Sequence, residues 1–308
     1  MSRNATLDCL LIVTIIGGLL PLGASHWWGF ELLSHFRAQY VVLALLLLAV
    51  AIRFCRHLLA LPLAAATGLN GWPLLPYLPS TAPNLSGRQI NVLNVNVNSN
   101  NTNHADIVDA IRAADSDLVS IVELTPALDE ALHVFADVYP YRFSAPATGN
   151  FGIGILSQYP LIEPASFSTV QTKAIDTIVE LPTGPLRFFA VHLLPPKTPT
   201  MTRARNLQLD ELAEYASGTE DSLLVCGDFN LTPYSPRFDK FVENTELRDV
   251  RRGRGLSFTW PTFMPLLGIP IDHCLIRGPM QVESVERMDR IGSDHYPVHV
   301  SLRWQDNG

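Results

Sequence analysis

The chain predicts an α/β domain preceded by an N-terminal region of transmembrane helices, and three observations point there. Its first 83 residues carry three nearly uncharged apolar runs. Beyond residue 88, apolar stretches of strand length end on polar residues able to do chemistry. Between some of those stretches lie segments whose apolar residues recur at helical spacing. The hydrophobic share, 47% of 308 residues, is high for a wholly soluble chain, and the excess lies at the front.

No charged residue occurs from Cys9 to Phe30, and Leu10 to Leu20 is almost unbroken Leu, Ile, Val and Gly, enough to cross hydrocarbon as a helix. A cleaved signal peptide would need Leu22-Gly23-Ala24 as its processing site, and the continuing apolar runs speak against it. Ala38 to Ile52 is a second run, bracketed by Arg37 and Arg53 and short enough that those arginines must snorkel. Leu58 to Leu78 is uncharged but interrupted by Pro62, Gly68, Gly71, Pro73 and Pro76, and reads as a third, broken span. Arg53 and Arg56 mark the loop after the second run as cytoplasmic. Three crossings put the following domain outside the cytoplasmic membrane and two put it inside; three are favoured, giving a multi-pass inner-membrane protein. A polar linker, Asn84 to Gly87, separates a membrane region, 1–83, from a catalytic domain, 84–308.

The domain opens with a strand, Ile90 to Val95, leading into Asn96. Asn103 then caps a helix with Ile107, Ala110, Ile111 and Ala114 as its apolar stripe. A strand from Leu118 finishes on Glu123, and hard divalent cations favour such a carboxylate. Asn150 precedes the strand around Ile153. The stretch Phe188 to Val191 ends on His192. A long helix from about Thr202 to Ala216, buried along Leu209, Leu212 and Ala213, feeds the strand that ends in Val225-Cys226-Gly227-Asp228-Phe229-Asn230. Alternation places Asp228 and Asn230 on one face, so a carboxylate and a carboxamide address the same volume. Ser235 with Pro236 marks another helix start. Ile271-Asp272-His273 and Ile291-Gly292-Ser293-Asp294-His295 each hold an Asp-His pair beside an apolar stretch, and Asp272 could orient the His295 imidazole for proton transfer. The tail from Tyr296 to Trp304 alternates Val298, Val300 and Leu302 as a closing strand. Each of these units alone is an ordinary strand-end turn. Five such strands in one chain are not.

The ordered set Asn96, Glu123, Gly154 to Ser157, His192, Gly227 to Asn230, Asp272 and Ser293-Asp294-His295 resembles the endonuclease/exonuclease/phosphatase superfamily, over roughly residues 88 to 304. Gly227 through Pro236, followed by Arg252-Gly253-Arg254-Gly255 and Thr259-Trp260-Pro261, looks like its membrane-attached bacterial branch. The resemblance implies a four-layer α/β sandwich, two mixed β-sheets packed face to face with helices outside. It implies hydrolysis of phosphodiester or phosphomonoester bonds with Mg²⁺ or Mn²⁺ as cofactor. His192, Asp228, Asn230, Asp272 and His295 would be catalytic, while Asn96, Glu123 and Asp294 would serve the metal. Asn98 shares the strand face of Asn96 and competes with it.

Substrate is left open. A nuclease-like activity comes first, a lipid phosphodiesterase of the sphingomyelinase type second, and a non-catalytic membrane-anchored binding module stands as the alternative of another class. The partners expected are therefore a phosphate ester, from nucleic acid or a lipid head group, and the bilayer; nothing points to a protein partner. Net charge is −7, and residues 1–83 hold four Arg and two acids, so the remainder has 18 basic against 27 acidic residues. Such a domain offers little general attraction to duplex phosphates. A local exception is Arg248, Arg251, Arg252 and Arg254, of which Arg252 and Arg254 read as a clamp for substrate phosphate. Cys226 and Cys274 fall in strands beside the candidate site, either as reduced buried thiols or, outside the cytoplasm, as a disulfide.

Overall fold

The computed structural model describes residues 3–80, 85–170, 172–219 and 222–305. The expected boundary at 83/84 lies outside the described residues. The N-terminal region contains α1 (Arg3–Leu19), α2 (Trp28–Ser34), α3 (Arg37–Arg53) and α4 (His57–Gly71). Around Leu11, Ala44, Leu47, Ala51 and Leu63, α1, α3 and α4 form a bundle of alternating direction. Asp8 meets Arg56 at 2.9 Å at one end. At the other, Arg37 donates to Pro21 O and to Asn70 Oδ1. Side chains such as Val13, Leu46 and Leu61 face outward and exposed.

Ala5–Gly23 and His57–Tyr77 are each long and apolar enough to cross a membrane, and α2 with α3, bent by 66°, would make a third such span. The third apolar run is not broken as expected. Pro62 lies inside α4, and the chain tightens at Trp72 into a 3-10 helix ending at Tyr77. Pro73 occupies the first turn of that helix, where a missing N–H leaves no intrahelical bond unmade.

The rest of the chain alternates strands and helices. It runs β1 (Arg88–Asn96), α5 (His104–Ala114), β2 (Leu118–Val122), α6 (Pro126–Ala131), β3 (Tyr141–Ala145), β4 (Ile153–Ser157), β5 (Leu161–Thr169), β6 (Thr172–Leu181), β7 (Gly184–His192) and α7 (Pro199–Ser217). There follow β8 (Ser222–Asp228), α8 (Pro236–Thr245), β9 (Arg248–Asp249), β10 (Asp272–Arg277), β11 (Met280–Arg287) and β12 (Val298–Trp304). Two mixed sheets result, ordered β11-β12-β1-β2-β4-β3 and β5-β6-β7-β8-β10-β9. Apolar side chains of both, among them Val92, Ile155, Phe188, Leu224 and Val300, fill the space between them. The opposite faces are covered by α5 and α6 on one side, around Leu93, Ile107 and Ile111, and by α7 and α8 on the other, around Phe189, Leu209 and Phe238. This is the four-layer sandwich.

Local sequence accounts for the starts of α7 and α8 but not for that of α5. Thr198 accepts from Met201 N ahead of α7, and Ser235 accepts from Arg237 N ahead of α8. Asn103 stands at the cap position of α5, yet its side chain makes no capping bond.

The N-terminal region is tied to the sandwich by buried polar contacts. Glu31 of α2 accepts from Arg205 Nη2 at 2.6 Å and from Ser235 Oγ at 2.7 Å. Arg205, fully buried, also donates to Asn230 O at 3.3 Å. His35 shares a 2.8 Å hydrogen bond with Thr232 Oγ1, so it is not the simple interfacial residue its neighbours suggest. Gln39 donates to Gly268 O, while Gly253 N and Gly255 N donate to Pro76 O and Tyr77 O. Removing Glu31 strands a buried guanidinium, which costs on the order of 3–5 kcal/mol. Glu31→Ala is therefore expected to lower the chemical-unfolding midpoint of the full-length chain in detergent. An unmoved midpoint would show that the pair contributes nothing.

Candidate active site

The strand arrangement explains why so many chain segments deliver polar groups to one place. In each sheet the two central strands are parallel and joined through a helix, β1-α5-β2 in one and β7-α7-β8 in the other. Their ends present Asn96, Glu123, His192 and Asp228 at a common edge, with His192 in register with Asp228. Antiparallel neighbours must begin where these end. β10 starts at Asp272, paired with Asp228, and β12 follows directly on Ser293-Asp294-His295.

The backbone is strained at this edge. Glu123, Asn230 and Asn98 have φ of 63°, 49° and 56°, in the left-handed region that non-glycine residues rarely adopt. Gly227 (φ 153°) has no substitute, because a Cβ there would lie 1.8 Å from Val191 O.

Asp228, 1% exposed, is the hub. Its Oδ1 accepts from Asn230 N at 2.8 Å, and its Oδ2 accepts from Asn96 Nδ2 at 3.1 Å. The same Oδ2 lies 3.7 Å from His192 Nε2 and 3.8 Å from His295 Nε2. Asn96 Nδ2 also reaches Glu123 Oε1 at 3.3 Å, and Ser99 N donates to Glu123 Oε2. His295 Nδ1 meets Asp272 Oδ2 at 2.9 Å, as the sequence anticipates. Ser293 Oγ accepts from His295 N and donates to Asn96 O, fixing the loop against β1.

Electrostatics separate the two carboxylates. Burial, reinforced by Asp272, pushes Asp228 up to about 8. Burial would also raise Asp272, but the charge and hydrogen bond of His295 hold it below the usual carboxylate range. Burial would lower His295, yet Asp272 foremost, with Asp228 and Asp294, holds it at about 10. His192 is depressed by burial against the pull of Glu123. At neutral pH the edge thus holds a protonated imidazole, a neutral one, and a carboxyl group close to its titration point.

Glu123, His192, Asp228 and His295 line one cavity of 740 Å³, together with Asn150, Asn230 and Asp294. Asn150 Oδ1 accepts from Ser99 Oγ. Asp294 is held by Asn98 Nδ2 at 2.7 Å and Trp260 Nε1 at 3.0 Å. The expected arginine clamp is not there. Arg252 lines a separate pocket with Tyr77 and Phe238, and Arg254 donates to Gly253 O and Val282 O. The reason is that their loop packs on the end of the N-terminal region and turns its side chains away from the cavity. Arg251 donates through Nε and Nη2 to Asp249 and meets His273, and His273 also bonds Leu231 O, so these three are structural.

Sequence reasoning missed Trp260, the interlock of Asn98 with Asp294, and four side chains of the N-terminal region, Trp28, Leu32, His35 and Phe36, that wall the cavity. Only Trp260, within Thr259-Trp260-Pro261, carried a visible signal. The donor set suits a divalent cation: Glu123 and Asp228 converge on the Asn96 amide, and ligand atoms of Asp228, Asp272 and His295 lie within 4.8 Å of one another.

Residues 91–295 match the model of the endonuclease/exonuclease/phosphatase family. Solved structures similar to the chain include an endonuclease/exonuclease/phosphatase from Beutenbergia cavernae, 20% identical over 70% of this chain and 72% of that one, with a TM-score of 0.59. Another is TDP2 of D. rerio, solved with a single-strand DNA product, 18% identical over 70% of this chain and 99% of that one, with a TM-score of 0.54. A family protein from Bacteroides vulgatus matches at 16% identity over 71% and 100%, with a TM-score of 0.59. No curated protein matches the chain. With two thirds of its length matched, and with this order of strands and polar residues, the chain belongs to the endonuclease/exonuclease/phosphatase family.

Proposed function

We propose that the chain is a membrane-anchored, divalent-metal-dependent phosphoric ester hydrolase whose catalytic domain lies outside the cytoplasmic membrane. The observation that carries it is the convergence of Glu123, His192, Asp228 and His295 on one cavity from both sheets, with Asn96 and Asp272 hydrogen-bonded behind them. Glu123 and Asn96 would hold Mg²⁺ or Mn²⁺, with Asp294 adding negative charge nearby. A cation there supplies electrostatic stabilisation to a phosphoryl oxygen. Asp228, poised near neutrality and shaped by Asn230, orients a water and accepts its proton. His295, kept charged by Asp272, donates to the departing oxygen, and neutral His192 donates a hydrogen bond to a non-bridging oxygen. Asn150 borders the same cavity as a phosphate contact. A full set of acids and imidazoles in hydrogen-bonded register argues against a non-catalytic binding module.

Nuclease-like activity has support in the D. rerio neighbour, whose structure holds a DNA product. Against it stands the cavity lining, where Lys197 is the one Lys or Arg among the described residues. Grooves that track a nucleic-acid backbone are positively charged.

Two features support the location. The end of the bundle bearing Arg53 and Arg56 is opposite the end that meets the sandwich, and a cytoplasmic arginine loop would then agree with a sandwich outside the membrane. Cys226 and Cys274 are joined in a disulfide, a bond that persists in oxidising compartments.

Asp228→Asn and His295→Ala are each expected to reduce turnover of a phosphodiester by at least about a hundredfold while leaving the circular dichroism spectrum unchanged. Near-parental turnover by either would remove that residue from the chemistry. Chelation should abolish activity and Mg²⁺ or Mn²⁺ restore it. A cation close to Asp228 competes with the proton this residue holds up to about 8, so apparent cation affinity should climb as pH rises toward that value and then level off; calorimetry at several pH values would reveal a flat profile if no such competition exists. Alkaline phosphatase fused after Gly87 should be active and a cytoplasm-only fluorescent reporter dark, the reverse pattern marking a cytoplasmic enzyme.

A further inference from the structure

The cavity has two unlike ends. One is the polar edge already described. The other is apolar, and part of it is built by the N-terminal region: Trp28 and Leu32 of α2 and Phe36 at the α2–α3 bend line the cavity with Met201 and Ile269 of the sandwich. A wall contributed by helices of membrane-crossing composition is an unusual boundary for a site that handles a phosphate.

A second feature points the same way. The segment from Trp260 to Ile269, whose two ends bridge each other and both line the cavity, carries an apolar tip in solvent. Phe263 is 64% exposed and Leu266 90% exposed. Gln39, in the first turn of α3, donates to Gly268 O at 2.7 Å, which fixes this tip beside the point where α3 begins. An exposed apolar tip at that level sits where a bilayer surface would be, and it shares its neck with the cavity wall.

Building on the phosphoesterase reading, we propose that the substrate is a phosphodiester carried on a membrane lipid. Its hydrocarbon part lies against Trp28, Leu32 and Phe36, and it enters the cavity from the bilayer between α2 and the 260–269 loop. The charge pattern fits this source. A lipid brings one phosphate to the polar edge and needs no basic track, and the lining holds a single Lys or Arg among the described residues. In the reaction one water is consumed: its oxygen bonds to phosphorus, the phosphorus–oxygen bond to the departing alcohol breaks, and one proton ends on that alcohol's oxygen. The released pieces are an alcohol and a phosphomonoester, one of which stays in the membrane.

The test uses the full-length chain with Mg²⁺ or Mn²⁺ and three substrate arms. These are vesicles of phosphatidylethanolamine, phosphatidylglycerol, cardiolipin or sphingomyelin followed by phosphorus NMR, a soluble bis(4-nitrophenyl) phosphate, and a single-stranded oligonucleotide. The expected result is hydrolysis of at least one lipid with a kcat/KM at least tenfold above that for the oligonucleotide. Leu32→Ser and, separately, Leu266→Asp should each lower the ratio of lipid to soluble-diester turnover at least fivefold; Leu266 is so exposed that its variant folds even where the Leu32 variant does not. Turnover of the soluble diester or oligonucleotide with no lipid hydrolysed would overturn the lipid proposal and leave the phosphoesterase reading standing. A ratio unmoved by Leu266→Asp and by a folded Leu32→Ser would overturn the entry route and with it the proposal. No turnover in any arm would overturn both readings.

Discussion

A carboxylate buried between two sheets has to be surrounded by donors, and Asp228 sets the terms for everything near it. Its own strand supplies Asn230 N, the neighbouring sheet supplies Asn96 Nδ2, and two imidazoles stand just beyond bonding distance. None of these groups could be supplied by one element alone. The arrangement works because parallel strands end, and antiparallel ones begin, at the same edge of both sheets. Gly227 allows β8 to approach Val191 closely enough for His192 and Asp228 to stand in register. The contrast between Asp228 and Asp272 follows from the same geometry: two acids face each other across a strand pair, and only one of them has an imidazolium bonded to it.

Much of this was legible in the sequence because strand chemistry is local. A run such as Val225 to Asn230 announces its own end, and alternation states which side chains share a face. The pairing of His295 with Asp272 could be guessed because both lie at strand starts late in the chain. The helix start at Ser235 was equally plain, a hydroxyl followed by proline, whereas α7 begins at Pro199, three residues ahead of the Thr202 read from the sequence. What could not be read were contacts between distant segments. Arg252 and Arg254 looked like a phosphate clamp since glycines surround them, but glycines also allow a loop to pack closely on Pro76 and Tyr77, and that is their use here. Likewise nothing in the sequence points to a partner for Glu31. Its partner, Arg205, lies 174 residues away on a helix face where an arginine would be taken for a solvated side chain.

That pair changes how the N-terminal region is understood. A tether would need only length and hydrophobicity, and would be indifferent to the domain it holds. Here Glu31 neutralises an arginine that also bonds Asn230 O, one residue from the Asp228–Phe229 turn, and caps the serine that starts α8. His35 bonds Thr232 in the same stretch. The loop that follows the central carboxylate is therefore braced from the N-terminal side along its whole length, 228 to 235. The N-terminal region and the site are built as one piece, so displacement of α2 would be felt directly at Thr232 and Ser235 and, through Arg205, at Asn230.

The disulfide belongs to the same logic. Cys226 and Cys274 are register partners across β8 and β10, and Asp228 and Asp272 are the register partners two residues further on. Residues two apart in a strand share a face, so the cross-link and the two acids lie on one side of the sheet. Linking positions 48 residues apart restricts the unfolded chain by about 4 kcal/mol in the chain-entropy account. More locally, it holds together the two strands whose ends must keep a pair of carboxyl groups close although burial and mutual repulsion favour their separation. Such a bond is favoured where the environment is oxidising. An oxidising compartment is also where the proposed three crossings would deliver the domain, so the clamp behind the acids and that proposed path make the same demand on where it works.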